Sequence, residues 1–224
     1  GPLVPVLPMT DPPTHTRVRS IVNTVFSPRR IAKIQDYIDG LTQDLIDGFI
    51  NDGRAELVAQ FAVPLPVTVI SDLLSLPRER WADIKRWTTS YSACAGNRLT
   101  TKEEAEATGR DLADMQNYIV GHLKDRRINP GDDLLTDLVN ARYEGHEPLT
   151  DMENLAVAVA FIGAGHESTT VAITQLVKTL AERPGLVTEV RSAKDQETAI
   201  RLLCEEVLRY EPPLNGLPRV STAE

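Results

Sequence analysis

A chain of 224 residues, 42% hydrophobic and 25% charged, is long enough to bury one large core, or at most two smaller ones. Its formal net charge of −8 argues against a nucleic-acid-binding surface. Two cysteines, Cys94 and Cys204, make neither a disulfide framework nor a metal-ligand pattern, and the Pro-rich start is not a secretory leader, so a cytoplasmic enzyme or binding protein is expected.

Residues 1–13 carry Pro2, Pro5, Pro8, Pro12 and Pro13 and are expected to be extended or looping. From Thr14 to about Phe26 the spacing of Val18, Ile21, Val22 and Val25 predicts a helix that Pro28 ends. Ile31, Ile34, Ile38, Leu41, Leu45, Ile46 and Phe49 mark a second helix, closed near Gly53. Phe61 to Leu76 is apolar nearly all round, and Pro64 and Pro66 should confine its helix to about 66–75. Helices follow at 78–92, 101–127 and 132–142, the last with Asp132 and Asp133 at its positive end. The longest apolar-periodic stretch, about Leu149 to Leu180, reads as one buried helix, with Thr150 and Glu153 spaced as a capping box. Pro184 starts a short helix, 195–210 forms the last, and only 217–222 looks strand-like. The fold class is therefore mainly α, a single domain over 1–224 with a long central helix and a minor β element near the C-terminus. No membrane span is expected, because the best stretch, 155–180, contains His166, Glu167 and Lys178.

Three constellations can carry chemistry. Ala164-Gly165-His166-Glu167-Ser168-Thr169-Thr170 interrupts the central helix. Glycine there costs up to ~1 kcal/mol relative to alanine, and a buried carboxylate costs more unless paired or protonated. Stability is given up, and space and proton chemistry are the gain. The plainer account is a kink relieved by hydroxyls bonding back to helix carbonyls. His166-Glu167 is no zinc-peptidase motif, since Thr170 stands where a second histidine would be, and neither Gly-x-Ser-x-Gly nor Gly-x-x-x-x-Gly-Lys occurs. His15 and Arg19 lie four apart on one helix face, suited to an anion such as a carboxylate, or else form a solvated helix end. Glu206 and Arg209 are an i,i+3 pair, ordinarily a surface pair, but set in a largely apolar helix and followed by Arg219.

Together, in this order and spacing, these segments resemble the cytochrome P-450 family of haem-thiolate monooxygenases, and its soluble bacterial members in particular. Asp11-Pro12-Pro13-Thr14-His15-Thr16-Arg17-Val18-Arg19 is similar to the family's entry to the helix beneath the haem edge, and Phe26-Ser27-Pro28-Arg29-Arg30 continues the match. Phe61-Ala62-Val63-Pro64-Leu65-Pro66 and Gly131-Asp132-Asp133-Leu134-Leu135 are also family-like. Ala164 to Thr169 resembles the oxygen-activation motif Ala-Gly-x-(Asp/Glu)-Thr-Thr, with Ser168 in place of the threonine. That exchange keeps the hydroxyl but loses a methyl and its stiff χ1.

The resemblance implies a haem (iron protoporphyrin IX) enzyme that inserts one atom of dioxygen into an apolar small molecule, with electrons from a ferredoxin-type partner. It implies that His15, Arg19 and Arg219 hold the haem propionates and that Ala164 and Gly165 line the distal side. Glu167 and Ser168 would be the catalytic pair, relaying protons to the reacting oxygen, and Glu206 with Arg209 the core ion pair. No metal ligand is expected in this chain, since the family's cysteine loop lies in order beyond Arg219, and a central part of a longer protein is expected. The competing expectation is a shortened, non-catalytic helical relative used for binding or scaffolding. A weaker one keeps the haem but binds it through His166.

Overall fold

The computed structural model describes residues 7–26, 28–96, 100–214 and 216. Among them the chain is built from helices, and no strand occurs; the strand expected at 217–222 lies outside the described residues. In order the helices are α1 (Thr14–Val25), α2 (Pro28–Asp47), α3 (Pro64–Leu73), α4 (Trp81–Ala95), α5 (Lys102–Ile128), α6 (Leu134–Asn140), α7 (Asp151–Glu182), α8 (Gly185–Ser192) and α9 (Gln196–Tyr210).

Their ends follow local chemistry. Thr101 with Glu104, and Thr150 with Glu153, form complete capping boxes at the starts of α5 and α7. Asp133 caps α6, its carboxylate accepting from the Thr136 amide at 2.7 Å, so α6 starts at Leu134 rather than 132. Other boundaries also differ from expectation: α2 ends at Asp47 rather than near Gly53, and α4 starts at Trp81 rather than 78. α3 begins at Pro64, because a proline in the first helical turn forfeits an amide that has no intrahelical partner anyway. A π-helical turn, Val58–Ala62, feeds the chain into it. α4 continues past 92 to Ala95.

The core forms where α3, α4, α5 and α6 meet α1 and the first half of α7. Ile21, Val67, Trp87, Met115, Ile119, Leu135, Ala158 and Ile162 are fully buried there. Asp133 is buried too (1% exposed), and Arg126 bonds it through Nε at 2.5 Å, which ties the end of α5 to the start of α6. Burial alone would raise the Asp133 carboxyl. The Thr136 amide, the Arg126 guanidinium and the Thr136 hydroxyl outweigh it and hold that carboxyl below the ordinary carboxylate value.

The central helix is one unbroken α-helix, but it is not buried throughout. Its buried positions end at His166, and from Glu167 onward every residue is partly buried or exposed. By length and composition α7 does meet the measure of a membrane span, contrary to the sequence expectation, with a mean hydropathy of 1.3 over its best window. Its N-terminal half is the core of this helical unit, and core helices meet the same measure.

Candidate functional site

Successive residues of α7 project about 100° apart, and this decides what each residue of the 164–170 segment faces. Gly163, His166, Glu167 and Thr170 share the packed side. The Tyr91 ring of α4 lies on Gly163 so closely that an added Cβ would sit 2.3 Å from its Cδ1. The next α4 residue, Ser92, donates its hydroxyl to Glu167 Oε2. Thr170 donates to the Ala62 carbonyl at 3.0 Å. His166 is 8% exposed, and neither ring nitrogen has a hydrogen-bond partner among the described residues. Burial pushes its imidazole below the usual value; the Glu167 charge opposes that shift and the Lys85 charge adds to it. A haem ligand cannot be made of a histidine in that setting without opening the packing.

The other side of α7 is open. Ala164, Gly165 and Thr169 are exposed and Ser168 is half-buried. The Ser168 hydroxyl donates to the Ala164 carbonyl at 2.9 Å and that of Thr169 to the Gly165 carbonyl at 3.4 Å. These are the back-bonds expected of hydroxyls inside a helix, yet the helix does not break. A Cβ on Gly165 would meet Ile70 no closer than 3.5 Å, an ordinary contact. Packing therefore demands glycine at 163 and not at 165. The two residues expected to act together are thus separated. Ser168 belongs to the open side, while Glu167 is turned about 100° away toward α4.

α1 flanks this open side. Its buried face is Val18, Ile21, Val22 and Val25. Arg17 leaves the helix on one flank, ion-paired with Glu153 and donating to the Glu147 carbonyl at 3.1 Å. His15 and Arg19 project from the opposite flank, and neither side chain has a hydrogen-bond or ion-pair partner among the described residues. Phe26, just beyond the helix, meets Phe161 of α7 edge-on at 4.8 Å. Phe161 lies one turn before Ala164 and Gly165. The end of α1 thus meets α7 beside its strip of small residues, and the two free donors stand on the same helix, seven and eleven residues before Phe26. Such a place suits a flat apolar ligand with an anionic edge.

Glu206 and Arg209 pair through two hydrogen bonds of 2.7 Å, so the ion pair forms. It is not buried, however: their side chains are 60% and 69% exposed, because α9 packs chiefly on α7 and α8 and its far side is left open among the described residues. Arg219 lies outside the described residues. Cys94 and Cys204 are partly buried free thiols on α4 and α9, and no group of three metal-ligating side chains occurs among the described residues.

No family model matches the chain. Curated relatives do. It is 34% identical over 216 residues to cytochrome P450 107B1 of Saccharopolyspora erythraea, covering 96% of this chain and 50% of that protein. It is 33% identical over 213 residues to the erythromycin C-12 hydroxylase of the same organism, covering 95% and 52%. The structure of Bacillus subtilis PksS, a cytochrome P450 of the bacillaene polyketide synthase, superposes with a TM-score of 0.83 at 29% identity, covering 93% of this chain and 51% of that one. P450BioI, solved with a fatty-acid-ligated acyl carrier protein, superposes with a TM-score of 0.82 at 25% identity, covering 92% and 51%. The chain spans about half the length of these relatives. With the open strip of α7, the donor flank of α1 and this similarity along nearly its whole length, the chain belongs to the cytochrome P450 family and makes up part of that fold.

Proposed function

We propose that these residues form the distal wall and one propionate anchor of a haem-dependent monooxygenase acting on an apolar small molecule. The observation that carries the reading is the uncovered Ala164–Gly165–Ser168 strip of α7, which the Phe26–Phe161 contact at the end of α1 adjoins, with the unpaired donors His15 and Arg19 further back on that helix. A haem fits there by chemistry: its apolar face suits the small residues, and its carboxylates suit His15 and Arg19 as charge-assisted partners. Arg219 is assigned the same task by the family likeness. When bound, haem ligated by a cysteine thiolate would supply the electron density that favours O–O cleavage.

The chain's own residues then have distinct parts. Ala164 and Gly165 keep side-chain bulk away from the distal face. The Ser168 hydroxyl, which here donates to the Ala164 carbonyl, would be the donor available on the open side. Glu167 delivers protons to that side. The Glu206–Arg209 pair and the exposed Ile200, Leu202 and Leu208 of α9 are a surface for the remainder of the fold to cover. A ferredoxin-type electron donor and a cytoplasmic location belong to the same proposal.

The test joins a spectrum to turnover. Protein carrying the remainder of the fold should bind haem and give the thiolate-type reduced carbon-monoxide band. With ferredoxin and its reductase it should place one atom of labelled dioxygen in an apolar substrate. The 224-residue chain by itself should not give that band; seeing it there would show that Cys94 or Cys204 is the ligand. A longer protein that binds no haem would overturn the proposal.

A further inference from the structure

We infer that Ser92 is a positioning residue for Glu167, so that the seat of α4 on α7 decides where this carboxylate points; the inference rests on the monooxygenase reading for its functional consequence. Glu167 projects from α7 on the same side as Gly163, about 40° away around the helix, and about 100° from Ser168. The helix by itself therefore aims the carboxylate at α4 rather than at the open strip. Two consecutive residues of α4 receive that side of α7. Tyr91 lies on Gly163, where only glycine leaves room for its ring, and Ser92 donates to Glu167 Oε2 one turn further on. The first contact sets the height of α4 above α7. The second uses that height, because a short serine side chain reaches a carboxylate only when the backbones are close.

The placement of Ser92 makes it a coupling point. It sits in the last turn of α4, where its carbonyl accepts from the Gly96 amide at 2.9 Å. Any shift of this end of α4 moves the hydroxyl relative to the carboxylate. A neutral hydroxyl on another helix is thereby one of the contacts that orient a proton donor meant to serve the Ser168 side of α7. Sequence reading has no signal for this: Ser92 is one serine among ordinary α4 residues, 75 positions from its partner.

The experiment compares Ser92→Ala, Ser92→Thr and Glu167→Gln in the complete haem-loaded protein, with a second readout on the haem-free form. The Glu167 carboxylate band is assigned in the infrared spectrum of the haem-free protein by its loss in Glu167→Gln. Ser92→Ala should shift that band, and Ser92→Thr, which keeps the hydroxyl, should leave it in place. In the loaded protein, Ser92→Ala should lower product formed per reducing equivalent by about tenfold, with haem content and substrate KM unchanged, and Ser92→Thr should restore it. A band unmoved by Ser92→Ala overturns the contact. A band that moves while coupling stays at the parent level overturns the functional role. A parent protein that binds haem but oxidises nothing, or binds none, removes the monooxygenase reading instead, and the infrared band alone then decides whether Ser92 positions the carboxylate.

Discussion

Replacing Gly163 with alanine adds one methyl to α7 at its tightest contact. That carbon would lie 2.3 Å from Cδ1, 2.4 Å from Cε1 and 2.9 Å from Cγ of Tyr91. Carbon atoms settle at about 3.5–4.0 Å, so the overlap exceeds about 1 Å. Because Cγ, at the root of the ring, is also too close, a small swing of the ring does not clear it. Either α4 lifts from α7 or Tyr91 leaves its rotamer. Overpacking of this kind costs about 1–3 kcal/mol and sometimes more, against a helix-propensity gain of up to about 1 kcal/mol. The expected result is a net loss of roughly 1–2 kcal/mol. Gly165 is the internal control. Its added Cβ would stand 3.5 Å from Ile70, so Gly165→Ala should stabilise the chain by about 0.5–1 kcal/mol. Urea denaturation reads both as midpoint shifts at unchanged slope. Gly163→Ala should unfold at lower urea than the parent, and Gly165→Ala at the same or higher. Equal stabilisation by both substitutions would refute the seating of Tyr91 on Gly163.

Three further outcomes follow from the same geometry. Asp133→Ala removes the α6 cap and one of the two carboxylates on Arg126, which keeps Asp125, an expected loss of about 1–3 kcal/mol; in the parent that contribution holds above the free carboxyl value of about 3.9 and disappears as pH falls through the lower folded value, so the variant should show a shallower acid limb in thermal melts. His166 is held below the free imidazole value of about 6.5, chiefly by burial, so the unfolded chain takes up a proton that the native chain refuses and stability should decline as pH drops below that value. His166→Leu should flatten this slope without abolishing it, because burial and the Arg126 charge lower His122 in the same direction; a slope unchanged in His166→Leu would contradict the burial. In the complete protein, Ser168→Ala removes one hydroxyl and should spare folding and haem content while product falls and peroxide rises. Ser168→Thr should keep or improve coupling, because β-branching narrows χ1. Unchanged coupling in Ser168→Ala would pass the role to Thr169, a water or the substrate.

What the sequence determined by itself is local. Local sequence signals placed each of the nine α-helices found among the described residues, most of them by apolar spacing at three and four residues, because the periodicity of a buried face is written in consecutive residues; the π-helical turn Val58–Ala62 and the short 3-10 turns were not read. The Thr150–Glu153 box was legible because its partners are three residues apart. So was the sharing of one α1 face by His15 and Arg19. The combination of motifs was enough to indicate the family, since each reflects a requirement at a single segment. What only the tertiary structure decided is which neighbour covers each face. Glu167 and Ser168 are adjacent in sequence and were expected to act side by side, yet one turn angle of the helix sends the first to Ser92 of α4 and leaves the second on the open strip. Glycine is demanded at 163 rather than 165 because Tyr91, not Ile70, makes the close approach. The Glu206–Arg209 pair formed as its spacing implied, but its exposure depends on what stands beyond α9, which spacing does not encode. Asp133 was legible as a helix-end charge and turned out to be a buried anion because Arg126 arrives from the preceding helix. Local pattern sets which side chains point the same way; the partner waiting in that direction is set by how distant segments pack, and no window of sequence contains both.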